Sequence, residues 1–225
     1  MRGTTKTVLS PLLTAMVVLL VAAPSMAENL PIMDYYGFAW EDGGFLPSDP
    51  GDMLSFAGVV DNLHPIVGYD LADGEVTLVV SDLVSTGEVP GGPGITQVSY
   101  VGGTLSIYFD PAKNADWGTF PPNAVAPATF GEGTLLFQGN FTSFVAIITG
   151  NGIGVFDGTL DGVGGELLGQ ACTNCAYSWG GIFTMHSGAQ LPDGFQLQLD
   201  GTLEVNAAVP AQESTWGSVK ALYSN

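Results

Sequence analysis

Cys172-Thr-Asn-Cys175 is the tightest grouping of reactive side chains in the sequence, and it holds both cysteines of the chain. Two thiols at this spacing suit a disulfide-closed turn, a redox pair, a haem attachment or half of a zinc site. Haem attachment needs a histidine directly after the second cysteine, and Ala176 stands there. Zinc needs two further ligands, and nothing in the sequence places the histidines, His64 and His186, together with the pair. A redox thiol needs a helix N-terminus or basic neighbours to favour the thiolate, and no lysine or arginine lies near in sequence. The expectation is a disulfide between Cys172 and Cys175, constraining its small loop by about 2 kcal/mol.

A second grouping is rich in oxygen. Asp110, Asn114 and Asp116, followed by Gly118, offer carboxylate and amide ligands of the kind calcium takes, and calcium is the cofactor this loop would suit. The spacing is not that of an EF-hand, and Lys113 sits inside the loop. Asp70, Asp73 and Glu75 form another acidic turn. Asp and Asn favour turns without any metal, because their side chains bond the backbone two residues on. No other cofactor is expected. The nucleophile elbow Gly-x-Ser-x-Gly, the zinc motif His-Glu-x-x-His and the phosphate loop Gly-Lys-Ser/Thr are all missing. A pair of hydrolytic carboxylates stays open, since such a pair is recognised by its separation in space. Asn140-Phe-Thr142 matches a glycosylation sequon.

The segments that must position these residues read as β-structure in an exported chain. Arg2 and Lys6, an apolar run densest from Met16 to Ala23, and Pro24-Ser-Met-Ala27 have the order of a cleaved signal peptide over residues 1–27. The apolar run is too short to span a bilayer, which takes about 20 residues. Beyond it stand two lysines, Lys113 and Lys220, against 22 acidic residues, a formal charge of −20. Such a surface repels nucleic acid and anionic lipid, so neither is expected as a partner, and no membrane insertion is expected after cleavage; a protein or a glycan is the expected partner class. Hydrophobic residues make up 46% of the chain, enough for a core of its own.

Residues 28–52, dense in Pro, Gly and aromatics, read as an aromatic-rich loop segment in which Tyr35, Tyr36, Phe38, Trp40 and Phe45 either cover one end of the core or form an exposed patch. From Met53 to Asn206 the pattern is that of an antiparallel β domain. Nine strands are expected over 53–61, 76–84, 95–101, 104–110, 134–141, 143–149, 153–161, 177–185 and 195–206, with turns such as Asn151-Gly152 between them. The last is the clearest, with Phe195, Leu197, Leu199, Gly201, Leu203 and Val205 on one face and polar residues on the other. Five strands repeat one motif: a large apolar residue, then glycine two positions on, then an apolar residue two positions further. They are Phe56-Gly58-Val60, Phe137-Gly139-Phe141, Phe156-Gly158-Leu160, Trp179-Gly181-Phe183 and Leu199-Gly201-Leu203. Glycine inside an apolar face curves a sheet toward closure. The fold class expected is therefore all-β: one strongly coiled antiparallel barrel, or a barrel-like sandwich, of about 8–10 strands. Residues 110–133 form the longest loop. Residues 207–225 read as a linker and a short C-terminal amphipathic helix, with Trp216, Val219, Leu222 and Tyr223 as a docking face.

Four functions fit this reading. The first is an exported or cell-surface structural or binding protein without catalysis. The second is a carrier holding a small apolar ligand in a lumen lined by Phe137, Phe156, Trp179 and Leu199. The third is a glycan hydrolase. The fourth is an outer-membrane barrel, whose apolar faces would point outward.

Overall fold

The computed structural model describes residues 28–117, 126–167, 175–185, 191–192 and 194–207. Residues 1–27, expected to be a signal peptide, together with Cys172, His186 and the expected docking residues Trp216, Val219, Leu222 and Tyr223, lie outside the described residues. The rest forms eight antiparallel strands closed into one barrel, each paired to the next and the last to the first. They are β1 (Glu28–Glu41), β2 (Met53–Leu63), β3 (Glu75–Gly92), β4 (Ile95–Asp110), β5 (Thr134–Thr149), β6 (Ile153–Gly164), β7 (Ala176–Thr184) and β8 (Leu197–Ala207). A 3₁₀ turn (Pro65–Val67) and the five-residue helix α1 (Ala126–Phe130) are short helical elements among the described residues, and Glu166 and Leu167 are helical as well.

The repeated glycine motif is what closes the sheet. Every bulky residue of the five motifs faces the interior and is buried. Gly181 on β7 lies opposite Gly201 on β8, and Gly37 on β1 lies opposite Gly58 on β2. A Cβ at Gly181 would stand 2.1 Å from the Asp200 carbonyl oxygen, and one at Gly37 would stand 2.2 Å from that of Ala57. The backbones at these two seams approach too closely for any side chain. The freed interior is filled by rings from the neighbouring strands. Trp179 lies at the centre, stacked on Tyr35 at 5.4 Å and touching Phe56, Phe141, Phe144 and Phe156 at 4.8–5.7 Å between ring centroids. Offset and edge-on ring pairs of this kind add about 0.5–1.5 kcal/mol each beyond their buried area.

Two departures from the sequence reading arise where alternation is lost, because a strand is buried on both faces or is bulged, and a third concerns Phe195. Residues 28–41 form a strand, not a loop. Tyr35, Gly37 and Ala39 point into the barrel, while Phe38 and Trp40 on the outer wall are covered by Trp117 and Phe195. A strand covered on both sides reads as a continuous apolar run without period. The expected pairs 95–101/104–110 and 134–141/143–149 are each one strand. In β4, Gly102 and Gly103 adopt φ of +70° and +88°, and in β5 the pairing shifts between Phe141 and Ser143. A bulge changes which face the following residues take, and in sequence that resembles a strand break. Phe195 precedes β8, and its ring joins Phe38, Trp40 and Trp117 outside the barrel instead of the lumen.

Residues 111–117 and 126–133 cross the outer wall of β1–β3 as a strap. The Thr77 hydroxyl donates to the Phe130 carbonyl at 2.8 Å, the Ala115 N–H donates to the Glu75 carboxylate at 2.8 Å, and Phe130 is fully buried against Trp117.

Candidate functional site

The lumen itself leaves no room for a ligand in this state. Phe137, Phe156, Trp179 and Leu199 are all buried; Phe156, Trp179 and Leu199 border the remaining void, which is about 10 Å³, and Phe137 does not. Small-molecule sites occupy roughly 300 Å³ or more. A standing apolar cavity of that size is not present in the described lumen.

The candidate calcium residues do not gather. One Asp110 carboxylate oxygen accepts from the Ala112 N–H at 2.9 Å, as in an Asx turn, while its other oxygen is buried without a partner. Asn114 donates to Glu132 at 3.3 Å, and the Asp116 N–H donates to the Thr129 hydroxyl at 3.1 Å. Lys113 donates to the carbonyls of Leu71 and Ala72. Asp70 closes its own turn on the Ala72 N–H. Among the described residues no three His, Cys, Asp or Glu side chains are grouped to hold a metal ion. Of the cysteine pair, Cys175 sits half-buried just before β7, packed against the core, and no described cysteine is free.

The structure instead draws polar groups together at the end of the barrel where β1 and β3 finish and β4 begins. Glu41 continues the inward phase of Tyr35, Gly37 and Ala39 and is 2% exposed. Its two carboxylate oxygens accept from the hydroxyls of Ser48 and, at 2.9 Å, Tyr100. Ser48 and Ser85 share a hydrogen bond between hydroxyls at 2.7 Å, and Ser85 Oγ accepts from the Gly87 N–H at 3.0 Å. The Gln196 side chain bonds both backbone groups of Glu41. Burial pushes the Glu41 carboxyl from 4.5 up to about 7, against the pull of the two hydroxyl bonds, and the charges of Asp52 and Glu88 push the same way. Burial, followed by the Glu41 charge, raises Tyr100 above the usual phenol range.

These residues anchor a loop, residues 42–52, folded across the barrel end. The Ser48 N–H donates to Glu88 at 2.9 Å, the Gly51 N–H to the Ser85 carbonyl at 2.9 Å, and the Ser85 N–H to the Asp52 carbonyl at 2.8 Å. Phe45, from the middle of this loop, is buried edge-on against Phe183 at 5.4 Å. Beside the loop opens a groove of about 750 Å³, walled by the β3–β4 and β5–β6 hairpins, with Leu46, Val89, Ile95 and Ile148 among its apolar lining and Glu88 as its charged residue. Glu41 does not line the groove. A general acid must reach the atom it protonates, so Glu41 and Glu88 do not form a working hydrolytic pair across it.

Sequence reasoning missed Glu41, Ser48, Ser85 and Tyr100. The signal for Glu41 was present: counted in steps of two from Tyr35, it is a carboxylate at an inward position. It becomes visible only once residues 28–41 are read as a strand. Comparison with known proteins adds nothing to these residues, because no family model, curated protein or solved structure matches the chain.

A stability prediction follows from Glu41. The folded protein prefers its protonated form, and the unfolded carboxyl releases its proton near 4.5. Between pH 4.5 and 7 the native state therefore holds more protons, and stability falls as pH rises through that window, then levels off. The expected loss from pH 5 to 8 is about 2.5 kcal/mol. Urea unfolding of the wild type and Glu41→Gln at both pH values isolates the contribution, and the variant should lack that part of the slope.

Proposed function

We propose that the chain is an exported, non-catalytic binding protein that engages a partner through the groove at the lidded end of its barrel. The observation that carries the reading is the contrast between a filled lumen and an open groove of about 750 Å³ at that end. Leu46, Val89 and Ile95 expose 36–50% of their surface there, and Glu88 gives the groove its charge. On a chain of net charge −18, the complementary occupant is an apolar, neutral-to-basic peptide segment of a partner protein. Export rests on the signal-like residues 1–27 and on Cys172 and Cys175, which we assign to a disulfide of the kind that persists outside the cytosol. One observation favours a barrel that does not insert in a membrane: the large residues of the repeated glycine motif face inward and are buried, whereas a lipid-facing barrel carries its apolar band outward. The acidic surface disfavours nucleic acid.

Selection of displayed peptides on the full-length protein tests this reading. Apolar, neutral-to-basic sequences should be enriched, and their affinity should fall about tenfold or more in Val89→Asp, the effect of a charge opposite an apolar contact. Enriched sequences that bind Val89→Asp unchanged, or no enrichment at all, would refute the groove as the site.

A further inference from the structure

Strand β3 outruns its neighbour β2. The pairing of β3 with β2 ends at Val84 and Met53, whereas its pairing with β4 continues through Glu88, Val89 and Pro90 to Gly92. The 42–52 loop covers one further residue: the Ser85 N–H donates to the Asp52 carbonyl at 2.8 Å, and the Ser85 carbonyl accepts from the Gly51 N–H at 2.9 Å. Beyond Ser85 the side of β3 that β2 would cover is a bare strand edge at the rim of the barrel. Residues 88–92 are all exposed.

The register fixes which backbone groups face that edge. Ser85 turns both of its groups to the β2 side, so Ser85 and Tyr100 form a pair that exchanges no ladder bonds. The bulge between Ser85 and Glu88 sets Glu88 opposite Val98, two residues from Tyr100 and therefore in the same phase, and Pro90 opposite Thr96 repeats it. Glu88 thus turns its N–H and C=O, and Pro90 its C=O, away from β4. The proline supports this phase independently, since a strand tolerates proline where the nitrogen faces away from the ladder. Among the described residues the backbone of Glu88 has no partner across the edge, while its carboxylate accepts from the Ser48 N–H. Glu88, Val89 and Pro90 also line the open groove, together with Leu46, Ile148 and Met185.

Resting on the peptide-binding reading of that groove, we propose that the partner segment binds as an added β-strand on the free edge of β3 at Glu88–Pro90, with alternate side chains in the groove. Backbone bonds to one donor and two acceptors give affinity without regard to sequence, and the apolar lining with the Glu88 carboxylate selects apolar and basic side chains. The edge is short. Pro90 offers no donor, and the pairing shifts again between Pro90 and Gly92. Proline and bulges at an edge oppose growth of a sheet, so the edge suits a short extended segment of another protein and not a second copy of this chain. A second copy would also bring a net charge of −18 against an equal one.

Amide exchange on the full-length protein reads the edge residue by residue. Without peptide the Glu88 amide should exchange freely, while Val89, in phase to bond Gln97 on β4, should be protected about 100-fold or more. The probe is acetyl-Val-Lys-Val-Lys-Val-amide, and its control is the same peptide N-methylated at every residue. At a peptide concentration about ten times its Kd, Glu88 exchange should slow about tenfold with Val89 unchanged. The N-methylated peptide, which has no backbone donors, should bind about tenfold more weakly or worse. Binding that leaves Glu88 exchange unchanged, or equal affinity for the N-methylated peptide, overturns strand addition and leaves the groove as a side-chain site. No binding by either peptide refutes the groove reading and this proposal with it. A Glu88 amide already protected in the dilute free protein, or one whose protection grows with protein concentration alone, shows an edge paired within the chain or with a second copy, and either result overturns the proposal.

Discussion

Gly181→Ala unfolds or opens the barrel, whereas Gly180→Ala, one position away, changes stability by less than about 1 kcal/mol. The two glycines differ only in the wall they face. At Gly181 the new methyl would lie 2.1 Å from the Asp200 carbonyl oxygen and 2.6 Å from the Gly201 Cα. Both are backbone atoms of the paired strand, so no rotamer change relieves the overlap, and β8 must separate from β7. The loss should exceed the ~3 kcal/mol typical of an overpacked core and approach the whole stability of an ordinary domain, about 5–15 kcal/mol. At Gly180 the methyl points outward, its nearest neighbours the Phe156 carbonyl oxygen at 3.2 Å and the Asp157 carboxylate at 3.5 Å. There, small displacements suffice, and removing a strand glycine returns part of its entropic penalty. Urea titration followed by far-ultraviolet circular dichroism separates the two variants.

Trp179→Ala is expected to destabilise the protein by about 4 kcal/mol, within the range for deleting a large buried aromatic. The side chain is 1% exposed and touches five other rings, so its removal leaves a hole that strands pinned at glycine seams cannot collapse to fill. The engineered hole should stay dry and accept a small apolar guest such as benzene, raising the melting temperature of the variant while leaving the wild type unchanged. Trp179→Phe should cost less than half as much. It keeps most of the ring contacts, and the buried indole N–H has no hydrogen-bond partner to lose.

These two residues also mark how far the sequence could be read. Gly181 and Trp179 belong to a motif whose spacing requires that both share one face of a strand, and the repetition of that motif on five strands pointed to inward curvature before any coordinates. What it did not contain was the partner of each glycine. The pairing of Gly181 with Gly201 and of Gly37 with Gly58 depends on register, which turns and bulges set together. Alternation failed where tertiary cover made both faces of a strand apolar. Tyr36, Phe38 and Trp40 looked like a loop because the strap that covers two of them comes from residues more than 70 positions away. Losing β1 concealed the candidate site as well, since the inward position of Glu41 has meaning only on a strand. Ser48, Ser85 and Tyr100 carry no local signal. They come from a loop and two strands, and only barrel closure brings them to one carboxyl.

Closure therefore supports both the filled lumen and the lidded end. Cross-strand proton contacts between β1 and β8 test it most directly. Nuclear Overhauser contacts should connect Tyr35 with Gly201, Gly37 with Leu199 and Ala39 with Leu197, the register of the closed barrel, and amides on both strands should be as protected as those of β4 and β5. An absence of those contacts, with fast exchange along β1 and β8, would describe an open sheet with two edges and would contradict the account of the lumen, the lid and the site together.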